Sequence, residues 1–144
     1  MKHHGCICDF TTQRNRELMQ AYRRHLASRS FVDLHEVCKE VANSPCSRFW
    51  VSEERATVVM SALLKGQYIL DSMSQQKREM FLEIFKRVSA LRKEQPNLPL
   101  GDVVFLCVNS PAPRFYMTSG SVLQTIWKIR KGHYKTNSTR YSER

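Results

Sequence analysis

The stretch "NSPCSRFWVS" at residues 43–52 returns as "NSPAPRFYMT" at residues 109–118. When the chain is shifted by 66 residues, Val37–Gly66 aligns with Val103–Gly132 without a gap, and eight positions are identical. Five of those eight identities fall between positions 43 and 49. A specific loop is therefore repeated, and not merely a helical composition. The repetition predicts two copies of one structural unit.

Apolar spacing predicts three helices in the first copy. Leu18, Tyr22 and Leu26 recur every four residues within 12–27, which is the spacing of one helix face. A second helix follows and ends near Asn43, because a proline at position 45 lacks the amide that a continuing helix needs. A third helix is predicted from an N-cap at Ser52 to a C-terminal glycine at position 66.

The second copy repeats this pattern. "RELMQAYRRHL" from Arg16 matches "REMFLEIFKRV" from Arg78 at a shift of 62, and Ser74 is the predicted N-cap of that helix. The apolar run "DVVFLCV" at 102–108 fits a strand or a buried helix by periodicity alone. Its counterpart in the first copy is helical, so we predict a helix. A sixth helix runs from a cap at Thr118 towards Gly132.

The predicted fold is therefore all-α, with about six helices. It consists of an internal duplication of a helix–helix–loop–helix unit around a pseudo-twofold axis. We predict an N-terminal extension at 1–11, one repeat at 12–66, a second at 67–132, and a basic tail at 133–144. Neither half has many apolar residues of its own, so the two repeats are expected to share one core.

Charge points to a polyanionic partner. The 144 residues include 23 Lys and Arg against 13 Asp and Glu, a net charge of +10. Such an excess favours encounter with nucleic acid, although a basic protein without such a partner has the same composition. The five cysteines form no disulfide framework, and neither a secretory signal nor a run of 18 apolar residues is present. We predict a cytoplasmic protein without a membrane partner.

The layout of helix, interruption and capped helix in 34–64 and 100–129 resembles tandem helix-turn-helix modules. That resemblance implies that the second helix of each pair enters the DNA major groove. The connection "SPCSRFWVS" is longer than the usual turn of three or four residues. The repeated phrase is also similar to small proteins of Bacteroides-type gut bacteria and their phages or mobile elements, which implies a setting and no activity.

The repeated arginines and the basic C-terminal region supply the candidate contacts. Arginine beside an aromatic ring can hold a phosphate and stack on a base. The alternative is that the aromatic rings are core anchors and each arginine binds the carbonyls of a helix end. Acidic Glu53 and Glu54 open the third helix, whereas residues 119–132 contain no acidic residue, so the second copy is the better nucleic-acid reader. The candidate residues are Arg114, Tyr116, Lys128, Arg130, Lys131, Lys135, Arg48, Arg16 and Arg23.

No motif indicates an enzyme, a metal site or a cofactor. "HHGCIC" at 3–8 offers zinc-ligand residue types, but their spacing is too tight for a structural zinc site. The histidines at 25, 35 and 133 are isolated in the sequence, and no phosphate-binding glycine loop is present. The sequence therefore predicts a non-enzymatic protein that binds nucleic acid, with DNA favoured over RNA, in a regulatory or mobile-element role. The alternative is a protein-interaction or assembly module, such as a virion component or accessory subunit, with a protein partner or a second copy of itself.

Overall fold

The computed structural model describes the backbone of residues 3–28 and 33–132 and the side chains of residues 10–28 and 33–132. Within these residues the protein is all-α, with six α-helices and no sheet, as predicted. The helices are α1 (His3–Ala27), α2 (Leu34–Ala42), α3 (Glu53–Leu64), α4 (Gln75–Glu94), α5 (Leu100–Val108) and α6 (Ser119–Arg130). A short 3₁₀ helix at Ile69–Ser72, which the sequence pattern did not predict, joins α3 to α4.

Side-chain caps fix the starts of three helices at the predicted positions. The hydroxyl oxygens of Ser52, Ser74 and Thr118 each accept a hydrogen bond from a backbone N–H three residues later. These bonds satisfy amides that have no partner inside the helix. Gly66 and Gly132 follow α3 and α6 with φ of 79° and 80°, a conformation that glycine adopts without a steric penalty. The ambiguous segment at 102–108 is helical and forms most of α5.

The first helix begins earlier than predicted. Residues 3–11, which the sequence pattern assigned to an extension, belong to α1. No proline interrupts this segment, and the ring of Phe10 packs beneath the Arg48 guanidinium at 5.5 Å. Phe10 therefore connects this part of α1 to the loop at 43–52. The predicted tail at 133–144 lies outside the described residues.

The six helices form two three-helix bundles, and each bundle takes one helix from the other half of the sequence. In one bundle α1, α2 and α6 pack on one another, and in the other α3, α4 and α5 do so. Within the described residues α2 makes no contact with α3, and α5 makes none with α6. The two helices on either side of each repeated loop therefore belong to different bundles. The predicted repeats at 12–66 and 67–132 are contiguous in sequence, but each donates its last helix to the other half.

A continuous apolar core links the two bundles. Phe49 and Phe115 from the two loops are buried members of this core, together with Val37 of α2, Val103 of α5 and Ile126 of α6. No helix in the described part of the chain is sufficiently long and apolar to cross a bilayer.

Candidate nucleic-acid interface

The repeated loops lie side by side at the centre of the protein. Cys46 and Ala112 form an isolated antiparallel bridge. Each N–H of this pair donates to the other residue's carbonyl at 3.0 Å. Further along, the amide of Phe49 donates to the carbonyl of Val108, and that of Phe115 donates to the carbonyl of Ala42, also at 3.0 Å. We call residues 43–52 and 109–118 together the central joint.

The aromatic side chains of the central joint stack on one another across the two loops. Phe49 stacks on Tyr116 at 6.0 Å between ring centroids, and Trp50 stacks on Phe115 at 6.1 Å. Tyr116 has a φ of 58°, which is unusual for a residue other than glycine. Burial raises the pKa of its phenol, and the neighbouring Glu83 carboxylate adds to that shift. These contacts place Tyr116 inside the joint, where one ring face is already occupied.

Arg48 is held by its own loop. Its side chain is 12% exposed, and it donates to the carbonyl of Phe49 at 2.9 Å and to that of Val51 at 2.5 Å. It also lies 3.7 Å from the carboxylate of Glu53. Burial lowers the pKa of Arg48, and the Glu53 charge opposes that shift. The Arg48 guanidinium therefore links the loop at 43–52 to the start of α3.

Arg114 occupies the matching position but takes different partners. It donates to the Glu79 carboxylate at 2.9 Å and to the Gln76 side-chain oxygen at 3.2 Å, both on α4. Its guanidinium carbon lies 5.2 Å from the centre of the Tyr116 ring. The side chain is 30% exposed. In the described residues the contacts of the two arginines are therefore structural but do not include helix-end carbonyls: Arg48 binds carbonyls of its own loop, and Arg114 binds side chains of α4.

The three predicted cations at the end of α6 lie on the surface. Lys128, Arg130 and Lys131 are all exposed. The outward face of α6 is formed by the exposed residues Gly120, Ser121, Gln124, Trp127, Lys128 and Lys131. Residues 119–132 contain no Asp or Glu to neutralise these charges. We call these six residues the outer face of α6.

Two predicted arginines lie on the neighbouring helix. Arg16 and Arg23 are exposed on α1, and a separation of seven residues places them on one helix face. Since α1 packs on α6, the fold gathers these arginines and the α6 cations on one bundle. Lys135 lies outside the described residues. The nine candidates therefore divide into a surface group on α1 and α6, a group inside the central joint, and Lys135.

Trp127 was not among the predicted site residues, yet it is the large aromatic side chain on this basic surface. Its side chain is 52% exposed. A signal for its position exists in the sequence: Val122 and Ile126 mark the buried stripe of α6, and Trp127 lies off that stripe by one residue. The general tendency of tryptophan to be buried conceals this signal.

His25, isolated in the sequence, meets two polar partners in the fold. Its Nε2 lies 3.0 Å from the Ser44 hydroxyl, and its Nδ1 lies 3.3 Å from the Glu40 carboxylate. This order of serine, histidine and carboxylate is that of a hydrolase triad. However, the Ser44 hydroxyl donates to the Glu40 carbonyl at 2.8 Å. The amides of Ser44, Cys46 and Ser47 also donate within the protein, so none of these three is left to bind an oxyanion.

The second half contains the same connection without a histidine. Arg87, which matches His25 at the shift of 62, donates to the Ser110 hydroxyl at 3.0 Å and to the Glu83 carboxylate at 2.9 Å. A guanidinium does not serve as a general base at neutral pH. The shared role of the two residues is to tie the first helix of each half to its Ser-Pro loop.

Thiol and carboxylate groups form no metal centre in the residues that the structure describes. Cys38, Cys46 and Cys107 are free and buried. The side chains of His3, His4, Cys6 and Cys8 lie outside the described set.

Apolar side chains are exposed on the other bundle. Phe105 and Leu106 lie on the outer side of α5, and Val58 lies in a groove along α3. Glu53 lines one end of that groove. The basic surface and the apolar surface thus belong to different bundles.

Comparison of this chain with models of known protein families, with curated proteins and with solved structures finds no match.

Proposed function

We propose that this chain is a non-enzymatic nucleic-acid-binding protein, with DNA favoured, that contacts its partner through the outer face of α6 and the exposed arginines of α1. The observation that carries this proposal is the acid-free outer face of α6, where Lys128 and Lys131 project beside the polar side chain of Gln124. Cations placed this way neutralise phosphates and release counterions. The role that we propose for this binding is a regulatory or mobile-element one.

The packing of α6 on α2 leaves the outer face of α6 exposed. The proposed recognition helix, α6, packs on α2 and not on α5, so in the described residues the two helices of the predicted pair at 100–129 do not pack on each other. Arg16 and Arg23 are exposed on α1, which packs on α6, and so add positive charge to the same bundle. In contrast, α3 begins with Glu53 and Glu54, whose charges repel phosphates. Of these two helices, α6 is therefore the one that faces the nucleic acid.

Fluorescence anisotropy with labelled duplex DNA, single strands and RNA tests this proposal. Titrations at about 50 mM and about 200 mM salt should show much weaker binding at the higher concentration. Lys128→Glu with Lys131→Glu should lower affinity about 10-fold or more at low salt, because two phosphate contacts become repulsive. The matched control is Lys86→Glu with Lys93→Glu, which makes the same charge change at exposed sites on α4.

The two double variants distinguish binding through the outer face of α6 from binding that depends on net charge alone. Equal losses in the two double variants would mean that net charge, and not the outer face of α6, determines binding. Absence of binding to every probe at low salt contradicts the proposal.

The alternative is a protein-interaction or assembly module, which the exposed apolar pair Phe105 and Leu106 favours. In that case the chain should associate with itself or with a protein partner through α5. Sedimentation of the wild type and of the variant Phe105→Ser with Leu106→Ser tests this alternative. A monomer at every concentration, together with salt-dependent nucleic-acid binding, favours the first proposal.

We further propose that the two halves arose by internal duplication and are related by a pseudo-twofold axis. Reciprocal hydrogen bonds support this: Phe49 to Val108 corresponds to Phe115 to Ala42 at a shift of 66, and the Cys46–Ala112 pair maps onto itself. Exchange of the two bridge residues, Cys46→Ala with Ala112→Cys, provides a test. If the positions are equivalent, the melting temperature should change by only a few degrees. Loss of folding would contradict equivalence.

A further inference from the structure

We infer that the outer face of α6 binds unpaired nucleotides, with the Trp127 indole as the surface on which a base stacks. The inference rests on the proposed function and specifies its ligand as single-stranded nucleic acid, DNA or RNA. The observation behind it is the conjunction of an exposed indole with cations on one helix face.

Trp127 is accessible in the way that stacking requires. Its side chain is 52% exposed, and in the described part of the chain its ring neither stacks on another aromatic ring nor lies beneath a cation. The other tryptophan, Trp50, stacks on Phe115 inside the central joint. The predicted stacking residue, Tyr116, is likewise occupied by Phe49 and Arg114. Of these three rings, Trp127 is therefore the one whose face is open to a base in the described part of the chain.

The neighbours of Trp127 fit a polynucleotide strand. Lys128 follows it directly, Lys131 lies one helical turn further on, and Gln124 lies one turn before. All three are exposed. The lysines can neutralise phosphates on either side of a stacked base, and the amide of Gln124 can donate to or accept from a base edge. Single-strand binding proteins combine these two features, an aromatic platform and a positive groove.

A duplex does not use this indole equally well. The bases of a duplex stack on one another, and the major groove exposes only their edges. Hydrogen-bonding side chains read those edges, whereas an indole donates through a single N–H. The ring face contributes fully only when a base is unstacked, so single strands should bind more tightly than a duplex of the same length.

An exposed aromatic residue elsewhere serves as the matched control. Phe105 on α5 is 53% exposed, which nearly equals the exposure of Trp127. Its helix, Leu100–Val108, contains Asp102 and no Lys or Arg. Truncation of Phe105 thus removes a comparable exposed ring from a helix without lysine or arginine.

The experiment uses the full chain and two readouts. Anisotropy is measured with labelled thymidine and uridine strands of about twelve nucleotides and with a DNA duplex of the same length. Trp127→Ala should weaken single-strand binding about 10-fold or more, Trp127→Phe should retain most of it, and Phe105→Ala should leave it unchanged. The thymidine and uridine arms distinguish DNA from RNA.

Intrinsic fluorescence supplies the second readout, because the chain has two tryptophans. Stacking on a base should quench Trp127, and the quench should disappear in Trp127→Phe, where Trp50 remains. Circular dichroism checks that each variant is folded.

The outcomes distinguish this inference from the proposed function. If Lys128→Glu with Lys131→Glu weakens binding but Trp127→Ala and the fluorescence show no effect, stacking is overturned and nucleic-acid binding stands. Tighter binding to the duplex than to either single strand also overturns the inference. If no probe binds at low salt, both fail.

Discussion

Cys46 and Ala112, which lie 66 positions apart in the sequence, face each other across the centre of the protein and exchange two backbone hydrogen bonds of 3.0 Å. Both residues are buried. The Cys46 sulfur lies 3.4 Å from the carbonyl oxygens of Arg48 and of Arg114, so it contacts both loops. Small side chains at this crossing allow two backbones to approach closely while the aromatic rings of both loops stack nearby.

Enlarging the crossing should therefore be costly. Ala112→Leu places three additional carbons where the two loops meet, and we expect the free energy of unfolding to fall by about 1–3 kcal/mol. Urea denaturation followed by circular dichroism measures this change. Cys46→Ala is the control, because alanine already occupies the matching position, and it should cost about 1 kcal/mol or less. An unchanged urea midpoint for Ala112→Leu would show that the joint can expand.

The buried thiols should be unreactive in the folded protein. Burial raises the pKa of Cys46 to about 12, and it also raises the pKa of Cys38 and that of Cys107. Since the thiolate is the reactive form, iodoacetamide at about pH 8 should leave these three residues unmodified. Mass spectrometry of a Cys6→Ser, Cys8→Ser background gives the readout, and urea should expose all three thiols. Labelling of Cys46 at the rate seen in urea would contradict its burial.

The helices were predictable because their ends are encoded locally. A serine or threonine cap and a terminal glycine act within a few residues, and those at Ser52, Thr118 and Gly66 function as the sequence pattern indicates. The repeat also identified the helix at 102–108, for which periodicity alone was insufficient. The sequence did not predict that the two similar loops contact each other, as they do at Cys46 and Ala112.

The helix exchange and the site were not predictable by the same means. The apolar stripe of α3, with Ala56, Val59 and Met60, specifies which face is buried but not which helix covers it. Arginine binds a phosphate and a carboxylate with the same fork of donors, so the sequence alone could not assign Arg114. The answer depends on Glu79, 35 positions away, which tertiary packing places beside it. Long-range pairing of this kind leaves no periodic signal.

The contacts of Arg114 predict a loss of stability when it is truncated. Arg114→Ala removes its bonds to Glu79 and Gln76 and should lower the free energy of unfolding by about 1–2 kcal/mol, which corresponds to a few degrees in melting temperature. Lys128→Ala is the comparison, because that side chain is exposed, and it should leave the melting temperature unchanged while weakening nucleic-acid binding. Calorimetry and anisotropy on the same samples measure the two effects. If Arg114→Ala instead weakened nucleic-acid binding and left the melting temperature unchanged, Arg114 would belong to the nucleic-acid surface.

Arg48 should be the more sensitive of the two arginines. It is more deeply buried, and its guanidinium satisfies the carbonyls of Phe49 and Val51. Arg48→Ala leaves those acceptors without their donor, so we expect a loss of about 2–3 kcal/mol in the free energy of unfolding. Arg48→Lys retains the charge but cannot reach both carbonyls with a planar fork, and it should recover only part of the loss. Urea denaturation of both variants tests this order; full recovery with lysine would mean that charge alone suffices.

Protonation of Glu53 should make the protein less stable in acid. Burial alone would raise its pKa, but the hydrogen bond from Asn109, a backbone hydrogen bond at Glu53 itself and the Arg48 charge together more than offset that effect, so the pKa of Glu53 lies below its ordinary value. A carboxylate with a depressed pKa in the folded state stabilises the protein above its unfolded pKa, and that contribution is lost as the pH falls through the folded pKa. We therefore expect part of the acid-induced loss of stability, below about pH 4.5, to come from Glu53.

Glu53→Gln should be less stable than the wild type at neutral pH, with the difference shrinking towards low pH. Glu54→Gln is the control, since that neighbouring carboxylate is exposed. Urea midpoints measured from about pH 3 to about pH 7 give the result, and a constant difference between Glu53→Gln and the wild type across that range would show that the charge of Glu53 does not stabilise the fold.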